Sequence, residues 1–425
     1  MRCCRVRIRL LPTAMPPELD PAPPVAAAAL HAPPRPLTAN PRPLVAIILG
    51  QICLHAGMAG LRVAAPLQAL TAGYSAWAVG VLLALFAAAP VVFAMKAGRL
   101  SDKYGYHRPL RLAVGLCAAG GLLACLSQAY AVLCVAAVLC GTGANTGMIT
   151  IQRSAGRLAG TATERIQVFS WLGLAPAIAN MTGAILAGVL IDGVGFRAAF
   201  GALGVLPLAA LVIARHVPND GAPAPVVPGA PESPHSPRAP RRAAWDLLRS
   251  APLRRLMLVN WLLSASWDVH SFVLPVLGHA RGMSASAIGT ILGLFALAVA
   301  AVRLALPMIA HRLQERRVLV GAMLSTAAVF AVYPLMPNDW LMAVCAVLLG
   351  LSLGSVQPMI MSTLHHITPP ERHGEAIALR SMAINASSAA MPLLFGMLGA
   401  ALGAGALFWA MGLAVAGGSF AARRV

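Results

Sequence analysis

"GRLSDKYGYHRPL" (98–110) sets three basic side chains, one acid, one histidine and two glycines between two apolar runs, 75–97 and 109–127. Each run has about the 20 residues a helix needs to cross roughly 30 Å of hydrocarbon. A charged turn between two such runs reads as a short loop at a membrane surface. Continuous apolar runs favour helices over barrel strands, which alternate over about 10 residues.

The rest of the chain follows that pattern. Of its 425 residues, 59% are hydrophobic and 11% charged, and its mean hydropathy is +0.76. Soluble domains carry about a quarter charged residues, so this is read as an integral membrane protein. The net charge of +19 would suit nucleic acid, but the arginines lie in short loops between apolar runs, and topology accounts for them. No nucleic-acid partner is expected. Six of the eight cysteines (Cys53, Cys117, Cys125, Cys134, Cys140 and Cys345) fall inside apolar runs, and none sits in a CxxC pair. They read as small buried hydrophobes; no metal site, disulfide framework or cofactor is expected.

Twelve candidate spans run near 44–66, 75–97, 109–127, 130–150, 166–191, 196–214, 253–275, 285–308, 317–336, 340–361, 376–400 and 404–421. Residues 1–43 are rich in Pro, Ala and Arg and read as a disordered cytoplasmic tail. Residues 216–250 are too polar to cross and too Pro-rich to fold alone, and read as a cytoplasmic linker. This leaves an N-terminal bundle, 44–215, and a C-terminal one, 251–422. Lys and Arg follow the even-numbered spans: Arg99, Lys103 and Arg108; Arg153, Arg157 and Arg165; the linker arginines; Arg312, Arg316 and Arg317; Arg372; Arg423 and Arg424. The other side has only Arg197 and Arg281. By the positive-inside rule both termini and the linker face the cytoplasm.

The halves repeat. A shift of 209 positions lays Pro66 on Pro275, Gly73 on Gly282, Ser75 on Ser284 and Gly80 on Gly289. It also lays Leu85-Phe86-Ala87 on Leu294-Phe295-Ala296, Arg108 on Arg317 and Gly141 on Gly350. The fold expected is all-α: twelve transmembrane helices as two pseudo-symmetric six-helix bundles, with a solute site at their interface.

Gly98, Leu100, Ser101-Asp102-Lys103, Gly105 and Arg108 resemble the loop signature between spans 2 and 3 of the major facilitator superfamily, G-x-L-[AS]-D-[RK]-x-G-[RK]-[RK]. Tyr106 and His107 stand where basic residues are usual, and the second copy, "PMIAHRLQERRVL" (307–319), has His311 in place of the acid. The resemblance implies a cytoplasmic latch in which Asp102 docks near the start of span 11, with Gly98, Gly105 and Arg108 shaping the turn. The two glycines would let the loop turn tightly and the helices approach closely. "LAPAIANMTGAILAG" (174–188) keeps Pro176, Gly183 and Gly188 of a span 5 pattern that is similar to that of drug–proton antiporters. "GVLIDGVGFRAAF" (188–200), with Asp192 and Arg197, reads as a span boundary.

Charged and strongly polar side chains inside a span are costly and so mark function. Span 7 is densest, with "NWLLSASWDVHSF" (260–272). Ser264, Asp268 and Ser271 recur along one helical face. Asp268 is read as the proton carrier and His270 as a second titratable group. Arg62 in span 1 and Arg303 in span 8 are read as the intramembrane arginines, with Arg62 paired to Asp268 across the interface or serving an anionic solute. Asn180, Gln357 and Asn385 are polar candidates for the pathway, and interhelical hydrogen bonding is the alternative for each.

There is no phosphate loop of the GxxxxGK[ST] kind and no HExxH pair, so neither an enzyme nor an ATP-driven pump is expected. The reading is a secondary active transporter of a small organic solute, with proton-coupled efflux across the inner membrane by a monomer. Proton-coupled import of a nutrient or organic anion is an alternative. A non-transporting membrane sensor on the same scaffold is the rival from another class.

Overall fold

A computed structural model describes residues 41–158, 168, 171–218, 244–309, 314–369 and 373–424. The tail (1–40), most of the linker and the loop ends at 310–313 and 370–372 lie outside the described residues. Helix α1 is Arg42–Thr71, α2 Ala76–Tyr104, α3 His107–Leu126, α4 Tyr130–Leu158, α5 Ala175–Val205 and α6 Leu208–Ile213. In the second half, α7 is Ala251–Ala280, α8 Ala285–Ile309, α9 Glu315–Val332, α10 Asp339–Ile367, α11 His373–Leu402 and α12 Ala404–Ala422. Every regular element among the described residues is helical.

Nine stretches among the described residues are long and apolar enough to cross a membrane. One of them, Ala175–His216, has 42 residues and turns back at Gly195, where φ is 84°, so it supplies two crossings. Two further helices bring the crossings to twelve: α2, apolar over Ala76–Ala88, and α7, whose hydropathy is diluted by Asn260, Ser264, Asp268, His270 and Ser271. The outer faces carry exposed apolar side chains such as Leu413, Phe420 and Val212. Lipid matches such a surface, and helices satisfy their own backbone polar groups there.

Odd-numbered crossings leave the end that holds the termini, and even-numbered ones return to it. At the far end the turns are closed by residues that L side chains avoid. Gly73 and Gly282, with φ of 83° and 71°, end α1 and α7, and only glycine adopts that conformation at no steric cost. Gly195 and Gly403, with φ of 84° and 85°, make the turns between crossings 5 and 6 and between 11 and 12. This second pair is 208 residues apart, so the repeat continues to the last crossing with a slip of one residue. Asn338 caps α10 by accepting the Leu341 N–H at 3.0 Å.

Glycines also set how the halves meet. A Cβ on Gly80 of α2 would stand 2.4 Å from the Pro392 carbonyl oxygen of α11, and one on Gly289 of α8 would stand 2.3 Å from that of Ala184 in α5. Gly80 and Gly289 are repeat mates at offset 209; Ala184 and Pro392, and Gly188 and Gly396, are mates at offset 208. Two symmetry-related seams, α2 on α11 and α5 on α8, therefore close the far end backbone to backbone. Small residues permit such approach between helices in lipid.

Candidate functional site

Between the halves lies a cavity of about 90 Å³ lined by Arg62 of α1, Asn180 of α5, Trp267 and Ser271 of α7 and Phe295 of α8, among others. Its polar groups come from both bundles. Arg62 is partly buried, and its Nε has no hydrogen-bond partner. Trp267 meets Phe295 edge-on, ring centroids 4.6 Å apart, which makes one wall aromatic.

Asp268, 6% exposed, sits beside this cavity. Its carboxylate interacts electrostatically with Arg62 and accepts a hydrogen bond from Ser388 Oγ of α11 at 3.4 Å. The two groups face each other without the close ion pair expected from the sequence: none of the ion pairs found within 4.0 Å joins them. A carboxylate whose cation is near but not in contact is free to exchange a proton or to yield the cation to another anion.

The other candidates do not all converge. His270 is fully buried behind Phe295, ring centroids 4.6 Å apart. Its Nε2 lies 3.2 Å from the Tyr333 hydroxyl, so it packs inside the second bundle, away from the lining. Arg303 reaches across the halves near the termini end, donating from Nη1 to the Gly173 carbonyl at 3.4 Å. Gln357 and Asn385 are exposed on α10 and α11 and do not line the cavity.

In the loop between α2 and α3, Gly105 has φ 71° and ends α2, as a tight turn requires. Gly98 corrects the expectation of close helix approach: a Cβ there would meet nothing within 4 Å. Arg108 lies over the Tyr104 ring, 5.2 Å from its centroid. Ser101 Oγ and Thr150 Oγ1, 2.7 Å apart, tie α2 to α4. The Asp102 side chain and residues 370–372 ahead of α11 lie outside the described residues.

Two features escaped the sequence reading. Arg380 in α11 is a third intramembrane arginine, 8% exposed, which corrects the reading of Arg62 and Arg303 as the pair. It lies inside the span expected at 376–400, so a charge-in-span scan finds it. The second is a clasp at the far end. Asp192, read as a span boundary, accepts the backbone N–H groups of Ala285 at 3.1 Å and Ser286 at 2.7 Å. It thereby caps α8 of the opposite half, and a carboxylate is well placed at a helix N-terminus.

Two pseudo-symmetric bundles enclosing a polar cavity that both halves line define a membrane transporter. The particular lineage follows from comparison: residues 47–264 and 256–424 match the sequence profile of the Major Facilitator Superfamily, and the chain belongs to that family. It is 26% identical over 338 residues to the enterobactin exporter EntS of Citrobacter koseri, covering 77% of each chain. It is 32% identical to the class B tetracycline resistance protein of Escherichia coli over 109 residues, about a quarter of either chain. Solved structures share the fold at lower identity. One is the nucleoside transporter NupG, at TM-score 0.72 and 12% identity over 90% of this chain and 99% of that one. Another is a peptide transporter of the POT type bound to sulfate, at TM-score 0.73 and 14% identity over 93% and 96%. The chain is thus a multi-pass membrane transporter of a small-molecule substrate, and not an enzyme.

Proposed function

We propose that this transporter exports a small organic solute by alternating access, with a proton as coupling ion and Asp268 as the group that carries it. The observation that bears most weight is the placement of Asp268: a buried acid beside a cavity lined by both halves, facing Arg62 without a contact ion pair. Burial disfavours the ionised carboxylate and a nearby cation favours it, so rearrangement of either balance moves the proton. Export is supported by the names of two relatives, an enterobactin exporter and a tetracycline resistance protein. The Lys and Arg bias between loops supports an inner-membrane orientation with both termini cytoplasmic, and the carrier acts as a monomer. Asp102, on the resemblance of its loop, is assigned to a cytoplasmic latch, and the bundle architecture 44–215 and 251–422 supplies the rocking bodies.

Enterobactin and tetracycline are the first labelled solutes to load into proteoliposomes. Acid outside is expected to speed solute loss from the wild type, and Asp268→Asn is expected to abolish that acceleration. Acceleration undiminished in Asp268→Asn removes Asp268 as the proton carrier. Asp102→Ala is expected to slow turnover while leaving binding intact; an unchanged rate removes the latch.

A further inference from the structure

Helices α7 and α11 run parallel and are joined by two polar rungs at the same offset. Arg380 Nε donates to Asn260 Oδ1 at 3.0 Å, and Ser388 donates to Asp268. In each case the α11 residue lies 120 positions after its α7 partner. The rungs are eight residues apart, about 12 Å along a helix, with the Arg380 rung nearer the termini end. Asn260 is 2% exposed and Arg380 8%.

The chemistry of the lower rung is one-sided. Asn260 has given its oxygen to Arg380, and its Nδ2 has no partner; Arg380 Nη2 has none either. Among the described residues neither makes a further ion pair or side-chain hydrogen bond. What remains inside the transmembrane bundle is a guanidinium Nη2 and a carboxamide Nδ2 that have no acceptor among the described residues. A buried guanidinium without a counter-ion is strongly unfavourable, and an orphaned amide adds to the cost. The same sign recurs at the central cavity, whose lining includes Arg62 and no carboxylate.

We propose that Arg380 and Asn260 form an oxyanion station on the solute path, and that the transported solute is an organic anion bearing a carboxylate or phosphate group. The inference rests on the reading of this chain as a solute transporter and names the class of its solute. A planar oxyanion accepts from guanidinium and amide together, in the geometry that makes arginine selective for such groups. The aromatic wall made by Trp267 and Phe295, farther along the path, then receives the body of the solute. Asp268 keeps Arg62 as its own cation while the solute's charge rests about 12 Å away, so proton and solute are handled by separate groups.

The test uses the full chain purified in detergent, with thermal unfolding as the readout. Sodium benzoate, its uncharged match benzamide and inorganic phosphate serve as probes at equal ionic strength. Whatever binds the folded state raises its melting point. Benzoate or phosphate is expected to raise it where benzamide does not, and the better of the two identifies the head group. Arg380→Gln is expected to weaken that shift by about tenfold or more in apparent affinity, the usual scale for a lost charged hydrogen bond. Arg380→Lys keeps the charge without the fork and is expected to fall between, which covers the case in which the glutamine variant folds poorly. Equal stabilisation by benzamide, no stabilisation by either anion, or a full shift in both Arg380 variants overturns the proposal. Flux is independent of these measurements: anion binding without proton-driven export removes the export reading, and export without anion binding removes the station.

Discussion

At the scale of single residues, the cost of a side chain in this bundle is set by what stands within a few ångströms of it. Gly98 and Gly105 belong to one loop motif and yet make opposite predictions. Gly98 lies in α2 with open space where a Cβ would go, so Gly98→Ala is expected to stabilise the protein by about 0.5–1 kcal/mol, the usual helix penalty of glycine. Gly105 holds a left-handed φ of 71°, and Gly105→Ala is expected to cost about 1–3 kcal/mol. Thermal unfolding of the two variants in one detergent measures both; shifts of the same sign refute the distinction. The sequence reading could treat the two glycines only alike, because spacing does not reveal which of them turns the chain. The same limit explains His270. Its position near Asp268 was legible, but two residues along a helix change the facing direction by about 200°, and that rotation sends it behind Phe295 to Tyr333. Arg62 and Asn180 do reach one cavity, because apolar spans leave few places where a charged or amide side chain is tolerable. Asn260 was visible in the quoted cluster, but its partner lies 120 residues away, beyond any local pattern.

At the scale of elements, the repeat was readable from paired Pro and Gly at offset 209, and it carries the two seams that close the far end. The slip to offset 208 was not readable, since it emerges only where Gly195 and Gly403 make equivalent turns. The seams tolerate nothing larger than hydrogen at their tightest points: a Cβ on Gly289 would lie 2.3 Å from a backbone oxygen, closer than side-chain carbons come. Gly289→Ala is therefore expected to disfavour the closed far end by about 1–3 kcal/mol, the usual cost of overpacking. Asp192→Asn, which removes the charge that caps α8 across the seam, is expected to act in the same direction by about 0.3–1 kcal/mol. Maleimide labelling of an Ala184→Cys reporter, otherwise 4% exposed, reads the opening in a background without other reactive cysteines. A rate rise of about tenfold corresponds to 1.4 kcal/mol. Labelling as slow in Gly289→Ala as in its parent shows that the seam gives way without opening.

At the scale of the whole molecule, the anionic solute proposed above would be coupled to the membrane potential. Arg62 lines the central cavity with Asp268 beside it, and Arg303 and Arg380 lie farther toward the termini end. Guanidinium groups in low dielectric attract an anion and repel a cation, the charge sign that the proposed oxyanion station assigns to the solute. A monoanion leaving a compartment that is negative inside gains about 2.3 kcal/mol per 100 mV, whereas a neutral solute gains nothing. Export of an anion and entry of a proton are both electrically downhill, and this fits the division of labour between the Arg380 rung and Asp268. Proteoliposomes with valinomycin and a potassium gradient impose the potential at equal pH on both sides. Solute loss is expected to quicken as the interior is made more negative. In Asp268→Asn that dependence is expected to persist while acceleration by external acid disappears, because the substitution removes the proton's seat and leaves the solute's charge untouched. Loss at a rate indifferent to potential in the wild type would mean that the traveller carries no net charge, and the buried guanidinium groups would then need another purpose.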